Sequence, residues 1–126
     1  MTKRIQYTLE YTFKAKAEML FSYLSTPYNL STWFADEVHV RGDIFQFVWS
    51  KSGETAKMIK QIFKKKVVFQ WIEREENEYL TFILESDDIT QDTTLTVIDY
   101  DFENQVESAT LMWNTAIDKL KRLVGG

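Results

Sequence analysis

The residues able to do chemistry are few in this chain of 126 residues. Its one histidine, His39, stands between Val38 and Val40, so if the valines of an alternating strand point inward the imidazole points to water. A lone imidazole also lacks the orienting partner that nucleophilic triads require. Cysteine is absent, which removes disulfides, thiolate nucleophiles and zinc–thiolate sites together. No paired-histidine spacing occurs, and Asp87-Asp88, Asp99 and Asp101 fall in turns or at a strand end, without the glycine-bearing loop that binds calcium. The four glycines form neither a phosphate cradle nor a dinucleotide fingerprint. The expectation is no catalytic residue, no metal and no cofactor.

One acid has two readings. Glu73 continues the alternation of Val67, Phe69 and Trp71, which would carry it inward, where desolvation would raise its pKa and suit it to donate a proton or anchor a ligand. It also opens the charged run Glu73-Arg74-Glu75-Glu76, and runs of that kind belong to surface loops, which is the preferred reading. Lys64-Lys65-Lys66 lacks the interleaved aromatic residues that stack on bases, so it reads as a solvated hairpin end. The net charge of −4 likewise argues against phosphate backbones and anionic lipid, and no nucleic-acid partner is expected. Charge is nevertheless segregated. Residues 51–72 hold six lysines and one glutamate, and residues 73–107 hold twelve acids and one arginine. If these segments are neighbouring strands, cross-strand pairs on the wet face can absorb the contrast. Otherwise the acidic face is a place for a basic protein partner.

The remaining resource is apolar. Hydrophobic residues make up 44% and aromatic residues 15% of the chain, enough for one globular domain spanning 1–126. No run approaches the roughly 18 apolar residues of a membrane span, so integral membrane association is not expected. The first residues alternate instead of presenting a charged start and an apolar block, so a cytoplasmic location is expected.

Periodicity then assigns the elements. Ile5, Tyr7, Leu9, Tyr11 and Phe13 share one face of a half-buried strand. Ala17, Leu20, Phe21 and Leu24 form the stripe of a short helix that stops near Ser25. Thr26-Pro27 offers a side-chain cap and a proline at the first turn of a second short helix running through Trp33. Six strands follow at about 36–41, 44–51, 54–64, 66–74, 79–85 and 92–101, joined by short turns that favour an antiparallel meander. Residues 104–123 return to helical spacing, with Trp113, Ala116, Ile117 and Leu120 on one stripe. At about 1.5 Å per residue this helix extends near 30 Å, comparable with six or seven strands set about 4.8 Å apart, so it can cross the whole sheet.

A twisted sheet and a straight helix cannot touch along their full length, and the wedge between them is either filled by side chains or left open to a ligand. Trp33, Phe45, Phe47, Trp49, Phe69, Trp71, Phe82, Met112 and Trp113 are the residues expected to line it, serving contact and exclusion of water and not bond making.

The order strand, two short helices, six-strand meander and long C-terminal helix resembles the helix-grip α+β fold of the START-like, or SRPBCC, superfamily, over nearly the whole chain. Within it the chain looks closest to the branch named for activators of the ninety-kilodalton heat-shock chaperone ATPase. The residues that carry the resemblance are Leu20 to Pro27 running to Trp33-Phe34, Gly42-Asp43-Ile44-Phe45, Val68-Phe69-Gln70-Trp71, Thr93-Thr94-Leu95-Thr96, and Trp113 with Leu120. The resemblance implies a cavity for a small hydrophobic or amphipathic ligand, lipid-like or polyketide-like. It also allows a chaperone-regulating module with a filled interior, and an enzyme only if acid–base residues reach the cavity. Where this branch often has glycine before the final tryptophan, the chain has Met112, a large residue expected to intrude on the cavity.

Overall fold

The computed structural model describes residues 3–74 and 77–126. Strand β1 (Arg4–Phe13) leads through helices α1 (Ala17–Ser25) and α2 (Pro27–Trp33) into β2 (Glu37–Arg41), β3 (Ile44–Trp49), β4 (Ser52–Ile62), β5 (Lys66–Trp71), β6 (Tyr79–Ser86) and β7 (Thr93–Phe102). A short 3-10 turn, Glu103–Gln105, then starts helix α3 (Val106–Val124). The seven strands form one antiparallel sheet in the order β1-β7-β6-β5-β4-β3-β2, so β1 closes against the last strand and not against β2. That pairing is continuous, from Arg4 opposite Phe102 to Phe13 opposite Thr93. The helix-grip α+β arrangement expected from the element order is therefore the observed one.

The turns explain where the strands begin and end. Gly42 takes a positive φ of 63° in the β2–β3 turn, a conformation that costs glycine nothing. Lys64 sits at φ 66° between β4 and β5, which places the lysine run at a hairpin end. Beyond β6, the Asp87 carboxylate accepts the Ile89 and Thr90 amides, and the chain turns back at Gln91. Two strands are shorter than alternation predicts, β3 ending at Trp49 and β5 at Trp71. Beyond Trp71, Ile72 still donates its amide to Thr55, but the following residues bend away from the ladder. The register of β4 against β5 slips between Met58 and Lys60, and such a bulge adds local bend and twist to the sheet.

The helices close one face. Thr26 is extended and its side chain makes no capping bond, contrary to expectation. Pro27 at the start of α2 has no N–H to cap, and the Thr26 carbonyl instead accepts the Leu30 amide. Helix α3 buries Trp113, Ile117, Leu120 and Val124, and ends on Gly125 in the left-handed region at φ 88°. The Gly126 carbonyl then accepts the Lys14 amide, which ties the end of the chain to the start of α1. No helix among the described residues is long and apolar enough to cross a membrane.

The segregated charge is not settled by cross-strand lysine pairs. Lys66 lies opposite Ile83, and among the described residues the one lysine ion pair is Lys57 with Asp43, 3.9 Å apart and half exposed. The acid-rich segment instead sends two of its acids, Glu78 and Asp99, inward onto arginine.

Candidate ligand site

Strands β3, β5 and β7 alternate with antiparallel neighbours, so they run the same way and their C-terminal ends gather at one end of the sheet. Trp49, Trp71 and the pair Asp99 and Asp101 occupy those ends. The N-terminal half of β1 joins them, because Tyr7 pairs with Asp99. Helix α3 begins over this end of the sheet and contributes Ala109, Met112, Trp113 and Ala116, and Phe34 closes the side next to α2. The space between is an open cleft of about 180 Å³, apolar along the helix and polar toward β7.

The polar side holds one arginine, Arg74, and a second, Arg4, supports it from behind through Glu78. Arg74 follows the end of β5 and folds back, donating through Nε to Glu54 at 2.6 Å, through Nη2 to Glu54 at 3.1 Å, and through Nη1 to Glu78 at 2.9 Å. The same Nη1 reaches the Tyr100 carbonyl at 3.2 Å and Asp99 at 3.4 Å, while the guanidinium lies 4.5 Å over the Trp71 ring. Arg4 grips Glu78 with two bonds of 2.6 and 2.8 Å. Glu78 is only 2% exposed, and a buried carboxylate is tolerable only when paired in this way. Burial works to raise its pKa, but the bonds from Arg4 and Arg74 prevail and hold it below the usual carboxylate value. Burial also opposes the charge on Arg74, yet Glu54, Asp99 and Glu78 keep that guanidinium firmly protonated.

Asp99 behaves differently. It is 6% exposed, and burial pushes its pKa up to about 6 despite the nearby Arg74 and the bond that the Trp71 indole N–H donates at 2.9 Å. Tyr7 is also pushed well above the ordinary phenol value, mainly by burial and then by the Asp99 charge. Its hydroxyl oxygen accepts the Trp113 indole N–H at 3.0 Å, which fixes the ring that roofs the cleft. Trp49 donates to the Phe34 carbonyl and Trp33 to the Tyr23 carbonyl, so all four indoles are held by a hydrogen bond at a known place.

Of the nine residues expected to line the wedge, the structure brings Trp49, Trp71, Met112 and Trp113 to the cleft. Phe45, Phe47, Phe69 and Phe82 lie deeper and fill the sheet–helix space. Phe47 meets Phe69 at 5.7 Å and Trp71 at 6.0 Å, both near edge-to-face, and Phe69 meets Phe82 at 6.5 Å in the same manner. Trp33 packs on Phe82 and Trp113 and lines a neighbouring groove between α2 and α3, with Ser31, Thr115 and Lys119. Met112 does not intrude: it is 71% exposed at the rim, and the packing of Phe34 against Trp113 at 5.5 Å limits the space instead. Glu73 lies outside, exposed, and accepts the Thr55 amide at 2.7 Å. His39 is exposed beside Glu37.

Sequence spacing alone does not assign Tyr7, Glu54, Arg74, Asp99 and Asp101 to the site, where the structure places them. A signal for Asp99 was present, since it continues the inward alternation of Leu95 and Val97, and Tyr7 continues that of Leu9 and Phe13. Arg74 stood out only as the single base among twelve acids.

Solved structures share this fold. A solution structure of an Aha1 dimer from Colwellia psychrerythraea superposes with a TM-score of 0.82 at 18% identity, covering 95% of this chain and 96% of that one. A Bacteroides fragilis protein solved by NMR gives 0.66 at 25% identity, covering 98% and 92%. CalU16 from Micromonospora echinospora gives 0.72 at 13% identity, covering 98% and 86%. No curated protein sequence matches the chain significantly. The family model described as a START-like superfamily domain matches residues 1–126, and with the sheet, the gripping helix and the cleft between them, the chain belongs to the START-like superfamily.

Proposed function

We propose that the protein binds a small amphipathic molecule in the cleft between the C-terminal ends of β3, β5 and β7 and the start of α3, without making or breaking bonds. The observation that carries this reading is a cleft with aromatic walls and a few convergent polar groups, the usual make-up of a small-molecule site. Size narrows the ligand. A cavity of about 150 Å³ lined by apolar residues is enough for benzene. At about 180 Å³ this cleft covers one ring or a short chain, and the bulk of a lipid or polyketide would lie outside it. Single-ring alcohols and short alkanols should quench tryptophan emission and raise the melting temperature, since a ligand that binds only the folded state stabilises it. A panel that does neither contradicts the reading.

Docking of a basic protein on the acidic face is the second reading. It is weaker because Glu78 and Asp99, two acids of the segment that suggested it, are spent on Arg4 and Arg74. Salt-sensitive capture of a basic partner by a variant with the cleft filled would favour it instead.

A further inference from the structure

The charge on the cleft wall is unbalanced. Glu54, Asp99 and Asp101 line it with one cation, Arg74, whose guanidinium is already engaged by Glu54, Glu78 and Asp99. Arg4 does not line the cleft, and its charge is set mainly against Glu78, to which it donates through Nε and Nη2, with a lesser attraction to Asp101. Both side-chain donors that reach Asp99, the Trp71 indole and Arg74, come to the same oxygen, Oδ1. Asp101 stands two residues along the same strand and uses one oxygen on the Phe102 amide. The walls are rings, and the Trp71 ring already carries a guanidinium on its face, as aromatic faces do for cations. An anionic head would face net repulsion here, a neutral one would be indifferent, and a cation would be drawn in.

We propose that the ligand class of this cleft is a protonated primary amine on a single aromatic ring, its ammonium seated between Asp99 and Asp101 and its ring against Trp71 and Trp113. This rests on the cleft being the ligand site. Three probes that share one phenethyl group and differ in the head it carries separate the two ideas: phenethylamine, phenethyl alcohol and hydrocinnamate, titrated calorimetrically against the intact protein at neutral pH. The amine should bind about tenfold or more tightly than the alcohol, and the acid more weakly than either. Asp99→Asn and Asp101→Asn, each first checked by its melting curve, should shrink the amine's advantage severalfold and leave the alcohol's affinity in place. Two variants guard against one of them failing to fold.

Lowering the pH adds a second readout. The groups facing Asp99 are Tyr7 and Arg4 from β1, Glu54 from β4, Arg74 and Glu78 between β5 and β6, and Asp101 on its own strand, whereas α3 presents no titratable side chain to the cleft. The ammonium stays protonated throughout, so its affinity should fall as Asp99 takes up a proton around pH 6, while the alcohol's stays flat. Equal affinities, or tightest binding by the acid, overturn the amine assignment and leave the cleft a ligand site. Failure of all three to bind overturns both.

Discussion

A buried aspartate defines the polar side of the cleft, and its ionisation has a definite effect on stability. Asp99 keeps its proton to about pH 6 in the folded chain, against an ordinary value of 3.8. Between those values the folded state holds a proton that the unfolded chain has released, so raising the pH favours unfolding. The sign is opposite for Glu78, whose depressed pKa lends stability at higher pH that is lost on acidification below its usual 4.5. We predict that the stability of the protein, taken relative to Asp99→Asn, falls by about 3 kcal/mol as pH rises from about 4 to about 6 and is flat above that. Urea unfolding midpoints across the range check this, and a difference that does not vary with pH would contradict it. Residue by residue, the sequence was a partial guide. Alternation carried Glu73 inward on paper, but β5 ends at Trp71, and beyond the ladder the two-residue period no longer says where a side chain points. Arg74 takes the inward place because three carboxylates wait there, and those come from β4, β7 and the segment before β6.

At the scale of elements, periodicity and turn signals found the seven strands and three α-helices, because most of them bury one face and mark the other with polar residues; β5, which buries Val67, Val68 and Phe69 in succession, is the exception. It could not say which inward-facing aromatics fill the space and which border it. Alternation gives the face of a strand, whereas filling depends on depth along it: Phe45 and Phe47 are buried early in β3, and Trp49 borders the cleft where the strand ends. That distinction predicts opposite outcomes for two substitutions. Phe47→Ala removes a ring packed on all sides and should cost about 3 to 5 kcal/mol of stability. Ala116→Phe on α3 places a ring into the open cleft and should change the melting temperature by only a few degrees while abolishing ligand binding. Thermal melts with and without phenethyl alcohol read both. An Ala116→Phe variant that binds as well as the parent would remove this cleft from the account.

For the whole molecule, an antiparallel sheet with a register slip in β4 and a helix laid across it leave the aromatic cleft at the end where three parallel-running strands finish. The fold was legible because its element order is distinctive, and the size of the cleft was not, because it depends on how far Phe34 and Trp113 close on each other. Three of the four tryptophans, Trp49, Trp71 and Trp113, border that end, and Trp33 serves as the internal control. In a proton–nitrogen correlation spectrum titrated with phenethyl alcohol, the account predicts saturable shifts of the Trp71 and Trp113 indole signals, whose N–H groups meet Asp99 and Tyr7 beside the cleft, with little change at Trp33, tied to the Tyr23 carbonyl. Shifts confined to Trp33, or none at any indole, would contradict it.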